Sequence, residues 1–226
     1  EEYDGASPET LDTFAEACRN AVAKIDNISS YWDISARLFF VYLRQGTTRT
    51  EEVLQEIHAL IDTPLLRNES AALTFEAKEY FHHINGTYYF LRGDYAHAHY
   101  HSGKHIDLLE QTPGYIERQA TRYLGRISIY LTDSFKLKKY DEFFAGLEKI
   151  RTFFDRHPAA RDEKTEAQVF KLLAMLELFA CVELGNYEKG LTLAPAIEQG
   201  LQQYAEHIEQ SLVVSFYFNF ASLYFL

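Results

Sequence analysis

Asn85-Gly86-Thr87-Tyr88-Tyr89-Phe90-Leu91-Arg92-Gly93-Asp94-Tyr95-Ala96-His97-Ala98 is the stretch that decides the fold. Apolar side chains before Gly93-Asp94 recur at helical spacing, and so do those after it, which makes the pair a tight turn between two helices. Lys138-Lys139-Tyr140 and Gly185-Asn186-Tyr187 join helices in the same way, and the three corner tyrosines stand 45 and 47 residues apart. A period of that kind marks a stacked repeat. Each period holds a helix, a tight turn ending in Tyr, a second helix and a looser connection. Such a hairpin cannot bury its apolar face alone and needs neighbours. The expected fold is all-α, an α-solenoid of antiparallel helical hairpins.

Outward from the corners the chain reads as ten helices, and no stretch alternates as a strand would. Ser7-Pro8-Glu9 opens the first, with a capping hydroxyl, Pro at the first helical position and an acid near the dipole's positive end. Asn27 to Ser30 is expected to break it, and Gln45-Gly46-Thr47 to end the next run. A helix from Thr50 closes at Thr63-Pro64. One long helix is expected from Asn68 to Arg92, with Leu73 on its apolar face. Others follow from about Tyr95 to Gln111, from Thr112-Pro113 to about Leu137, and from Tyr140 to Arg156. Asp162 caps the helix that reaches Leu184; its partner is expected over Tyr187 to Tyr204, and a last helix from Ile208. Composition agrees: Gly 11 and Pro 5 are too few for many tight strand turns, while 16 Tyr and 17 Phe supply large buried areas.

The Asn85–Ala98 set resembles the tetratricopeptide repeat: small Gly86 before an aromatic pair, Gly93 at the turn, Tyr95 beyond it, small Ala98 opposite Gly86. Ala180 to Gly190 is similar, with Gly190 where the family's second-helix Ala is expected. The resemblance implies a right-handed superhelix and a single domain over 1–226, with divergent helices at 1–67, hairpins at 68–112, 113–158 and 159–206, and the first helix of a further repeat at 207–226. Phe216 to Leu226 aligns with Tyr80 to Leu91, setting Ala221 opposite Gly86, so the chain is expected to stop before its last hairpin is complete. The period exceeds the family's ~34 residues, so the helices must be longer. In such repeats the first helix of each pair lines the concave face. The resemblance therefore implies a groove of Tyr80, His83, Thr87 and Phe90, then Ser128, Thr132 and Phe135, with Met175, Phe179 and Val182 corresponding.

A net charge of -11 speaks against nucleic acid, which needs concentrated Lys and Arg. Leu212 to Leu226 is uncharged, but its 15 residues fall short of the ~20 that span a bilayer, so no membrane is expected. Cys18 and Cys181 show no disulfide or metal spacing, and a cytoplasmic setting is the expectation. Asn27, Asn68 and Asn85 each open a glycosylation sequon, but Asn85 lies inside a helical pattern, a poor place for a glycan.

His97, His101 and His105 are spaced i, i+4, i+8 on one helix face and form the candidate metal cluster, with His82 or His83 as a third ligand. Polar surface, or core for His105, is the other reading. Arg118, Arg122 and Arg126 form a second stripe, the candidate anion contact, which Glu117 could neutralise. No phosphate loop, nucleophile elbow or kinase signature occurs, and no cofactor is expected. The expected function is a non-catalytic scaffold for a protein or peptide partner. The rivals are a ligand- or peptide-responsive regulator within a longer protein, and a metal-dependent enzyme using the His82–His105 cluster. The C-terminal helix offers a route to self-association.

Overall fold

The computed structural model describes residues 7–45 and 50–225. Those residues form twelve α-helices with three short 3-10 turns and no strand. None of these helices is long and apolar enough to cross a membrane. The chain divides into two compact units, Glu1–His101 and Ser102–Leu226, so the division falls inside the hairpin expected at 68–112.

In the first unit α1 (Pro8–Gln45) is followed by α2 (Glu51–Ile61), α3 (Pro64–Arg67), α4 (Phe75–Leu91) and the start of α5 (Tyr95–Glu110). Residues 46 and 47 of the expected turn lie outside the described residues. α1 packs on α2 and α4 through Tyr31, Ile34, Leu38 and Val41, which meet Ile57, Phe81, Ile84 and Tyr88 in one core. The expected break at Asn27 to Ser30 does not occur. Asn27 Nδ2 donates to the Ala71 carbonyl at 2.9 Å, and its Oδ1 accepts from Leu73 N–H at 2.9 Å. Its amide is thereby spent on a distant loop and does not compete with its own backbone. The same loop corrects the expected helix from Asn68: a 3-10 turn occupies Glu69–Ala71 and α4 begins only after Thr74, whose hydroxyl accepts from Ala77 N–H. Leu73 is left exposed.

The second unit contains α6 (Tyr115–Arg118), α7 (Ala120–Lys136), α8 (Tyr140–Arg151), α9 (Phe153–Arg156), α10 (Glu163–Glu183), α11 (Tyr187–Gln203) and α12 (Gln210–Phe225). α10 is its centre and packs on α7, α8, α11 and α12. Two expected helices are interrupted. Gln119, at φ −133° and ψ 39°, separates α6 from α7, and Thr152 separates α8 from α9. Close approach depends on glycine at Gly146 and Gly200: an added Cβ would stand 2.2 Å from a Leu131 methyl or 2.1 Å from the Phe170 ring.

The three corners share one geometry. Gly93, Lys138 and Gly185 have φ of 77°, 60° and 70°. In each, the left-handed residue's N–H donates back three positions and the next N–H donates back five: Gly93 to Phe90 and Asp94 to Tyr89, Lys138 to Phe135 and Lys139 to Ser134, Gly185 to Val182 and Asn186 to Cys181. That is the Schellman termination, which satisfies carbonyls a helix end would otherwise orphan. Tyr95 then packs edge-on against Phe90 at 5.6 Å, and Tyr140 against Phe135 at 5.3 Å.

Candidate binding groove

α7, α10 and α12 present side chains to one cleft in the second unit. Its deeper part, about 250 Å³, is lined by Thr132 of α7, Met175, Leu176 and Phe179 of α10, and Leu212, Ser215, Phe216 and Asn219 of α12. A shallower continuation adds Gly125, Ser128, Gln168, Lys171 and Glu209 around the shared Met175, Leu212 and Ser215. Met175 stands 41% exposed between the two. Its unbranched, polarizable side chain can adapt to more than one apolar partner. Phe179 is held in place by the Phe135 ring at 4.8 Å and by the Lys136 ammonium 5.3 Å above its face.

In the deeper part of the cleft the two hydroxyls and the Asn219 amide each already donate to a backbone carbonyl. Thr132 Oγ1 donates to the Ser128 carbonyl at 2.9 Å, Ser215 Oγ to Ser211 at 3.1 Å, and Asn219 Nδ2 to Ser215 at 2.9 Å. What these groups can still offer a ligand is chiefly acceptor capacity beside apolar surface. The far end is charged, with Lys171 Nζ 3.8 Å from a Glu209 carboxylate oxygen.

Ser128 and Thr132 lie on this cleft. Phe135 does not: it is 5% exposed and seats Tyr140, Phe143 and Phe179. Tyr80, His83, Thr87 and Phe90 share one half-buried face of α4 in the first unit; Tyr80 packs on that unit's core and Phe90 seats Tyr95. Leu212, Ser215 and Asn219 were absent from the expected wall. The offset that sets Ala221 opposite Gly86 also sets Ser215 opposite Tyr80, so that register finds Ser215, whereas Leu212 and Asn219 fall opposite Ala77 and Ile84 and are not found by it.

The histidines occupy a separate cluster. His82 Nδ1 lies 3.2 Å from His101 Nδ1, and His101 stacks on Tyr89 at 5.7 Å. Burial, then the nearby His82 and His97, push His101 down to about 4, so the ring is neutral at physiological pH. His97 Nδ1 pairs with Asp94 at 2.7 Å, and His105 is buried at 2% exposure. Among the described residues no group of three or more His, Cys, Asp or Glu side chains is placed to hold a metal ion. The arginine stripe is also divided: Arg118 sits on α6, its guanidinium 3.4 Å from the Pro113 carbonyl, while Arg122 and Arg126 begin anew on α7. The break at Gln119 removes the common helix face that the spacing implied.

One buried group on α7 has no counterpart among the sequence expectations. Asp133, 1% exposed on α7, accepts from Ser102 Oγ at 2.8 Å through Oδ2, and its Oδ1 has no hydrogen-bond partner. Burial raises its carboxyl to about 6, against the lowering effect of Ser102.

Compared with known proteins, the chain matches no protein-family model, no curated protein and no solved structure.

Proposed function

We propose that the second unit is a tetratricopeptide-like stack of hairpins, α7 with α8 and α10 with α11, followed by α12 as the first helix of another pair. It acts as a non-catalytic scaffold that holds a peptide or partner helix in the cleft between α7, α10 and α12. The observation that carries this reading is the lining: alternate helices supply apolar and acceptor-bearing side chains to one continuous surface. A fitting ligand brings two or three apolar anchors at helical or extended spacing, with donors for Thr132, Ser215 and Asn219. In support of the stack, the helices meet in the order that superposed hairpins require, since α10 touches both members of the preceding pair, its own partner and α12. The corners also repeat one geometry.

Met175 is the single methionine of the chain, so a ¹³C-methyl-methionine label gives one resonance at the centre of the cleft. Peptides selected from a random twelve-residue library on the purified chain should shift that resonance, and Met175→Arg should abolish their binding with helicity unchanged. Selected peptides that leave the resonance in place, or bind the Arg variant equally well, would refute the groove.

A further inference from the structure

α1 carries an apolar stripe on the side away from its own core. Its buried contacts run through Tyr31, Ile34, Leu38 and Val41, whereas seven large apolar side chains between Leu11 and Leu43, counted at steps of three and four residues, are 56% to 69% exposed. At ~100° per residue these seven, together with Cys18, Ser29 and Ala36, fall within a strip roughly 80° wide and opposite the buried face. Between residues 9 and 26 nearly every side chain is exposed, and a helical segment of this length without packing is marginal in water.

The stripe is symmetric about Asn27. The sequence steps from Leu11 to Leu43 read 3, 4, 4, 3, 4, 3, 4, 4, 3 in either direction, so a two-fold rotation lays the stripe onto itself. From this geometry we propose that two copies of the chain associate through α1, antiparallel, with the two-fold axis beside Asn27. Leu11 then meets the partner's Leu43, and Phe14 meets the partner's Phe40. Cys18 faces the partner's Ala36, small against small. Val22 meets the partner's Trp32, and Ile25 covers the partner's Ser29.

Charge does not set the pairing: on one flank the rotation brings Arg19 beside the partner's Asp33, itself paired with Arg37 of its own chain at 3.0 Å, and Asp26 beside the partner's Asp26, so the apolar stripe carries the register. Seven large side chains per copy, each losing on the order of 100 Å² to the partner, bury roughly 1,500 Å² in total, the size of a stable interface. Because the stripe is an isologous surface it closes at two copies. The core face of α1 points away, leaving room for a second helix.

Sedimentation equilibrium of the full chain should give a dimer at micromolar concentration, with Trp32, the single tryptophan, shifting its emission to shorter wavelength as the dimer forms. Phe14→Glu and Phe40→Glu change exposed residues and should each weaken association at least tenfold with unchanged circular dichroism. Register is read with a short bismaleimide. The two Cys18 residues would lie about 27 Å apart along the axis at 1.5 Å rise per residue, so the unsubstituted chain should not be cross-linked, whereas Ala36→Cys should be, through Cys18. A monomer at all concentrations overturns the proposal. So does a dimer indifferent to both Glu variants, and so does cross-linking of the unsubstituted chain through Cys18.

Discussion

Lys138 holds a backbone conformation that the other two corners give to glycine, and that difference fixes the size of one stability change. At φ 60° an L-residue pays roughly 1–2 kcal/mol for the contact between Cβ and its own carbonyl. Glycine avoids it but loses more backbone entropy on folding, roughly 0.5–1 kcal/mol, and removing a cation from the end of α7 forfeits about 0.3 kcal/mol. Lys138→Gly should therefore stabilise the second unit by about 0.5 kcal/mol. The reciprocal change is cleaner: nothing lies within 4 Å of a Cβ built on Gly185, so Gly185→Ala meets the φ penalty less the backbone entropy it recovers and should cost about 1 kcal/mol. Lys138→Ala keeps the left-handed strain while removing the charge, and should be neutral or slightly destabilising. Urea unfolding followed at the Met175 methyl resonance, which reports the second unit alone, orders the three variants. Lys138→Gly no more stable than Lys138→Ala would refute the argument that the corner is strained.

Other substitutions probe the buried groups and the close contacts. Asp133 is raised from 3.8 to about 6 by burial, so between those values the folded state holds the extra proton and stability falls as pH rises. Asp133→Asn should remove that slope and gain up to about 3 kcal/mol at pH 7, measured by urea midpoints across pH 4–7. His101 has the opposite sign: lowered from 6.5 to about 4, it leaves the unfolded chain with more bound protons, so the first unit should lose stability as pH falls through that window. Amide exchange in α4 should follow this loss, and His101→Gln should flatten it. Gly200→Ala, whose new methyl would stand 2.1 Å from the Phe170 ring, should cost about 1–3 kcal/mol through overpacking, read as a lower melting temperature.

The corners were legible because they are local. Gly93 and Gly185 announce a left-handed residue directly, and Lys138 is found only through its spacing from them. Helix boundaries that depend on remote partners were not legible. Asn27 looks like a breaker until its amide is seen bonded to Ala71 and Leu73, some 45 residues on. The splits at Gln119 and Thr152 lie in stretches whose periodicity continues across the break. Asp133 was hidden for a similar reason, since the partner of its carboxylate, Ser102, lies on another helix.

The cleft was half legible, and the failure at Phe135 shows why register along a hairpin must be taken with depth. Counted back from the corner tyrosines, Thr132 and Phe135 stand on the same helix face, and spacing alone treats them alike. The Phe135 carbonyl accepts from Lys138 N–H in the Schellman turn, and its ring packs on Tyr140. Phe90 stands in the same relation to Gly93 and Tyr95, and Val182 is the acceptor of the Gly185 turn. The residue three before the left-handed position is therefore the seat of the corner, committed to ending the helix wherever the corner recurs. Contact with a ligand must come from at least one turn further back, where Thr132 faces Met175 and Phe179 and where α12 contributes Ser215. Loss of the Phe135 ring would loosen α7 from α8 and also release Phe179 in the cleft wall, so a truncation there mixes folding with binding, whereas one at Met175 reports on the cleft.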